Sequence, residues 1–216
     1  MELLYSNNDL KLNLYKRNTT IISTSDSDFL FILNALRNKG YDYVSIYTPF
    51  STDTVMKELS IFSESDTLLN EFQCKYLENK AIKDLAMDEV ALVKIIIELS
   101  KNKDCLVLYD VLTYLDKEIK DKVINYIKKQ NITFINITSN EEEYLINEYM
   151  IVLNNRIVAL EGETLLVLEQ EKILKRLGFS LPFIIDISLQ LKAYGLIDKV
   201  FTNYKELVGE LWKNKN

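Results

Sequence analysis

Two carboxylates, Asp110 and Asp116, punctuate the stretch 104–116, DCLVLYDVLTYLD. Cys105, Leu106, Val107 and Leu108 form an unbroken apolar run, which suits a strand buried on both faces of a parallel sheet. In a doubly wound α/β fold, ligands and catalytic groups sit at the carboxyl ends of such strands. A carboxylate at Asp110 could orient a metal ion or a water there. The plainer reading is a buried strand that meets solvent at an aspartate. These residues alone favour the plainer reading, because a place in a fold does not establish chemistry.

The second stretch with chemical potential is Ser23, Thr24, Ser25, Asp26, Ser27 and Asp28. It lies between an apolar segment at 19–23 and the helical pattern FLFILNALRN at 29–38. Strand, loop and helix together are the context of a phosphate-binding loop, which needs glycines so that backbone amides approach the anion. The chain has five glycines, at 40, 162, 178, 195 and 209, and none lies in a glycine-rich loop. A phosphate at 23–28 would meet two carboxylates and be repelled. Asp26, Ser27 and Asp28 instead read as helix caps, favourable at a helix N-terminus.

Composition narrows the chemistry further. The 216 residues contain no histidine, which removes the commonest general base and every His-dependent triad. Two cysteines, Cys74 in a polar helix-like stretch and Cys105 in the buried run, give neither a disulfide framework nor a metal cluster. They fit a reducing cytoplasm. The net charge of −6 gives no basic footprint for nucleic acid. Hydrophobic residues at 48% support a substantial core rather than disorder. No apolar run is long enough to span a bilayer and no signal-peptide pattern opens the chain, so any membrane connection is expected through a partner.

The elements that must position these residues follow from periodicity. Strands are expected at 10–16, 19–23, 43–47, 105–108 and 132–137, with a hairpin of 150–153 and 156–160 turning at Asn154 and Asn155. Residues 60–80 read as mixed-charge helix, and 90–100 as a long helix entered through Asp88 and Glu89. Residues 117–129 form an amphipathic helix with Ile119, Val123, Ile124 and Ile127 on one face. Asn140 and Glu143 make a start like a capping box. Pro182 suits a first helical turn and Gly195 a helix stop, and a last helix at 204–212 is expected to bury Leu207, Leu211 and Trp212.

Residues 108–116, LYDVLTYLD, resemble the Walker B and D-loop segment of ABC-transporter ATPases, whose pattern is Leu-Asp-Glu-Pro-Thr-x-Gly-Leu-Asp. The apolar strand, Asp110 and Leu115-Asp116 are kept. Tyr109 replaces the metal-associated Asp, and Asp110 stands at the catalytic Glu. The family's phosphate loop, laid on 23–31 without a gap, puts Phe29 at the lysine, Leu30 and Phe31 at the Ser/Thr, and Ser23, Asp26 and Asp28 at the glycines. Tyr47 falls at the Q-loop glutamine. LAMDE, 85–89, falls at the signature that caps the γ-phosphate of the opposite subunit's ATP. Ser139 falls at the switch histidine. The hairpin IVLNNRIVALEGET and the region 171–196 resemble the C-terminal part of energy-coupling factor (cobalt-type) transporter ATP-binding subunits.

The resemblance covers about 12–211 and implies an α/β, P-loop NTPase-like sheet flanked by helices. A shortened helical subdomain and a helical C-terminal appendage go with it, dividing the chain into 1–164 and 165–216. ATP and magnesium are implied by family only, since no functional motif is intact. Asp110 and Asp116 are then vestiges of the Walker B and D-loop positions, and 23–28 of the phosphate loop. The expected function is a non-hydrolysing structural or regulatory subunit of an energy-coupling factor type transporter. Its implied partners are an intact ATPase subunit or a second copy, and a transmembrane component. Its place is cytoplasmic, peripheral at the inner face of the cell membrane. The alternatives are a transport subunit with weak nucleotide binding or hydrolysis, and a stand-alone homodimeric scaffold. An enzyme with a site relocated to Asp110 and Asp116 ranks last, because those acids lack a visible nucleophile, cation or base.

Overall fold

The computed structural model describes residues 2–7, 12–62 and 64–213. The chain opens with an antiparallel pair, β1 (Leu3–Asn7) and β2 (Leu12–Tyr15), in which Leu12 and Leu14 point inward and Asn13 outward. Leu10 and Lys11, the first residues of the strand expected at 10–16, lie outside the described residues, as does Ser63. Next come β3 (Thr19–Ile22), buried along its whole length, and helix α1 (Asp26–Arg37). Because α1 starts at Asp26, the expected caps Asp26, Ser27 and Asp28 form its first turn. Ser25 takes the preceding place, its carbonyl accepting from the amides of Asp28 (3.0 Å) and Phe29 (3.4 Å).

The strand expected at 43–47 is cut to β4 (Tyr43–Val44). The cause is local: Ser45 folds back, its hydroxyl accepting from the Tyr47 amide and its carbonyl from the Thr48 amide, and Pro49 has no N–H to continue a ladder. Helix α2 (Val55–Leu59) is capped by Thr54. Only Ser65–Glu71 (α3) of the segment 60–80 becomes α-helix. Gln73 has φ +57, which stops it, and Cys74 then turns fully inward. Helix α4 (Met87–Leu99) begins two residues after Leu85, with Glu89 accepting from the Ala86 amide at 3.1 Å.

The run 105–108 becomes β5 (Cys105–Tyr109). Helix α5 (Lys117–Lys129) is capped by Asp116, whose carboxylate accepts from the Ile119 amide at 2.9 Å. Then follow β6 (Thr133–Thr138), β7 (Tyr149–Asn154) and β8 (Ile157–Glu163). Between β6 and β7, Asn140 caps a short 3-10 turn. Glu143 closes that turn buried, so the expected helix start at Asn140 and Glu143 yields a single 3-10 turn. Among the described residues, β8 is followed by α6 (Thr164–Leu168), α7 (Glu171–Arg176), α8 (Phe183–Ala193) and α9 (Tyr204–Lys213). Gly178 and Gly195, at φ +90 and +70, stop α7 and α8 in the left-handed conformation that glycine adopts without strain. Pro182 caps α8 rather than entering its first turn.

These elements form two compact units, 1–18 with 30–137 and 19–29 with 138–216. In the first, β4, β5 and β6 are parallel, with Tyr43 opposite Val107 and Leu106 opposite Phe134. Val93 and Ile96 of α4 and Val123 and Ile127 of α5 are fully buried. In the second, β3 runs parallel to β7 and β7 antiparallel to β8. Its core gathers Ile22, Met150, Val152, Leu168, Leu174 and Ile185. Leu207 of α9 joins that core and Leu211 packs at its edge, but Trp212 is 65% exposed. The fold class is α/β, with parallel and antiparallel strand pairs and flanking helices.

Candidate functional site

In the second unit, the loop at 23–28 is internally bonded. The Ser23 hydroxyl donates to Oδ2 of Asp28 at 2.8 Å and accepts from the Ser25 amide at 3.0 Å. Oδ1 of Asp28 accepts from the Arg156 amide at 2.8 Å, a contact made across 128 residues. Asp28 is 1% exposed. The Ser25 and Ser27 hydroxyls lie 2.8 Å apart. Arg156 donates from the turn of the β7–β8 hairpin, where Asn155 and Arg156 have φ +52 and +63. Two left-handed residues match the right-handed twist of the flanking strands. The turn therefore falls one residue later than the expected Asn154-Asn155.

A cavity of about 190 Å³ opens beside this loop, lined among others by Ser23, Thr24, Asp26, Ser139 and Glu141. The structure thus brings Ser139 together with the loop. No Lys or Arg is among the described residues lining it. Phe29, at the lysine place, is fully buried, while Leu30 is exposed. An ATP phosphate needs amide donors and a cation. Here a carboxylate occupies the start of α1, and both its oxygens are already used. The residues present do not fit a nucleotide phosphate.

In the first unit, Asp110 follows β5 with φ +48, a left-handed backbone that costs a non-glycine residue about 1 kcal/mol. Its amide donates to the Ile137 carbonyl at 2.9 Å, which holds it at the end of the strand. Tyr109 packs edge-on against Tyr43, with ring centroids 6.3 Å apart. Asp116 is exposed and its carboxylate is engaged as the α5 cap. In 85–89, Glu89 is held by Lys80 at 2.6 and 2.8 Å. The Lys80 ammonium, with the Ala86 amide, keeps its carboxyl below the usual range. The Asp116 and Glu89 carboxylates thus do structural work, as a helix cap and as a partner of Lys80. Among the described residues, no group of three or more acids and cysteines is placed to hold a metal ion. No helix among them is long and apolar enough to cross a membrane.

Two features were not read from the sequence. The Asp28–Arg156 contact runs through a backbone amide, so no residue type signals it. Lys94 of α4 is 7% exposed; its signal was a single charge inside ALVKIII.

No protein-family model matches the chain. The energy-coupling factor transporter ATP-binding protein EcfA1 of Listeria monocytogenes serotype 4b is 29% identical over 120 residues, 53% of this chain and 43% of that protein. The corresponding protein of Geobacillus kaustophilus is 28% identical over 119 residues. The match spans less than half the length of these curated relatives. Among solved structures, a nucleotide-free ATP-binding cassette from an ABC transporter superposes with a TM-score of 0.64 at 15% identity, covering 83% of this chain and 96% of that one. The cbiO1 protein of Clostridium perfringens, part of the ABC transporter complex cbiONQ, superposes with a TM-score of 0.58 at 15% identity, covering 82% and 92%. The chain has the fold of the ATP-binding cassettes and is similar in sequence, over about half its length, to the ATP-binding proteins of energy-coupling factor transporters.

Proposed function

We propose that the chain is a non-hydrolysing homologue of the ABC nucleotide-binding domain, acting as a structural or regulatory subunit of an energy-coupling factor type transporter. The observation that carries this reading is Asp28. A buried carboxylate, bonded by Ser23 and the Arg156 amide, takes the place at the start of α1 where a cassette would hold phosphate. Phe29 in place of the lysine, and Asp88 and Glu89 at the signature, support it, since none attracts an anion. Relatives named for energy-coupling factor transport support the transporter setting. The partners in this reading are an intact ATPase subunit and a transmembrane component, with the chain peripheral to the cytoplasmic face of the membrane.

A second reading, a stand-alone homodimeric scaffold, draws support from α8 and α9. Phe183 and Tyr204 stack with centroids 6.3 Å apart while staying 65% and 56% exposed, and Val208 is 49% exposed.

Phosphate release from ATP, measured on the purified chain with magnesium, tests the reading. The expected rate is that of the buffer blank. Turnover that disappears in Asp110→Asn would overturn it and return the chain to the motor subunits.

A further inference from the structure

The first unit contains a second cavity, of about 220 Å³, lined by Lys94 of α4, Glu58 of α2, Phe50, Ser45 and Ile97 among others. One water needs roughly 10–15 Å³ by the same measure, so there is room for more than a bridging water. Lys94 and Glu58 are each 7% exposed. The Lys94 ammonium donates to the Thr48 carbonyl and lies 3.8 Å from the centroid of the Phe50 ring. That carbonyl uses one of three N–H donors. Glu58 accepts from the Thr52 amide. Among the described residues neither takes part in an ion pair, and Glu58 acts on Lys94 only through space.

Glu98, on the same cavity, is finished differently. Lys101 and Lys103 pair with it at 2.6 and 2.8 Å. The cavity therefore holds one closed ion network and one open pair of opposite charges. A buried ion without a counter-ion is costly, and buried charges are ordinarily paired. Burial pushes the Lys94 ammonium below its ordinary range, while Glu58 pulls it back.

We propose that this cavity binds a small zwitterion of the α-amino acid class, its carboxylate taken by Lys94 and its ammonium by Glu58. A simple carboxylate would leave Glu58 unpaired and add repulsion, and a simple amine would do the same to Lys94. Only a ligand bearing both charges closes both groups. The Phe50 and Ile97 walls suit a small apolar side chain beside those charges.

Calorimetry on the full chain at neutral pH tests this, with glycine, alanine and leucine as probes and acetate and methylammonium as single-charge controls. The expected result is saturable binding of at least one amino acid, with the controls about tenfold weaker or more. Lys94→Met and Glu58→Gln are each expected to weaken it by about tenfold or more, while circular dichroism shows both variants folded. Two variants are used so that misfolding of one leaves the other decisive. No saturable heat from any amino acid, or unchanged binding in a folded variant, overturns the proposal. Acetate binding as tightly as the amino acids would mean an anion site and overturn it equally.

Discussion

The loop at 23–28 and the cavity around Lys94 both bury charge, and they finish it in opposite ways. Asp28 has a donor on each carboxylate oxygen, from Ser23 and from the Arg156 amide. Lys94 has a carbonyl and an aromatic face, with no counter-ion in contact. A fully satisfied buried network fixes local structure, whereas a partly satisfied one marks a missing partner. The loop at 23–28 is thus the closed one, and the open one lies beside Ser45 and Thr48 in the first unit. Resemblance locates a site, and hydrogen-bond accounting decides whether the site still wants a ligand.

The largest expected effect is at Asp28. Asp28→Ala removes the acceptor of two hydrogen bonds to a charged group and leaves two buried donors, a loss of about 3 kcal/mol in urea unfolding. A loss under about 1 kcal/mol would erase the contrast. Next is the double change Lys94→Met with Glu58→Gln, expected to raise the stability of the ligand-free chain by about 1 kcal/mol, because both members of a buried, uncontacted charge pair are removed together. A clear loss would mean that the ammonium is already compensated and the cavity is closed too.

Asp110 sharpens the comparison from the backbone side. Asn tolerates a left-handed φ, so Asp110→Asn is expected within about 0.5 kcal/mol of the parent, while Asp110→Val costs about 1–2 kcal/mol more. Equal unfolding curves for the two would remove backbone strain from the account.

A pH-dependent effect concerns the thiols. Burial pushes Cys74 and Cys105 up to about 11 from an ordinary 9.0. The unfolded chain ionises first as pH rises, so stability contributed by the neutral thiols is complete below pH 9.0 and declines toward pH 11. Replacing both by alanine should flatten that part of the pH profile of unfolding. An unchanged slope would show that the thiols are not held neutral.

Much of the fold was legible because its signals are local. The α5 bounds followed from amphipathic spacing, and β5 from an unbroken apolar run. The truncated β4 was missed because YVSIY has strand-like composition, and only the fold-back at Ser45 stops it. Trp212 was expected inside because large aromatics usually bury, but α9 turns Leu207 to the core and leaves Trp212 on its outer side. At the candidate site, the absence of lysine and glycine from 23–28 could be read directly. The Arg156 amide that completes Asp28 could not, since backbone donors carry no residue signature and the contact spans 128 positions.

The most direct measurement is calorimetric titration of the intact chain with ATP and magnesium, alongside Asp28→Gly, which clears the carboxylate from the start of α1. The account predicts no saturable heat for the parent at millimolar ATP. Saturable binding by the parent, weakened by Asp110→Asn, would contradict the claim that an internal carboxylate has closed the phosphate site.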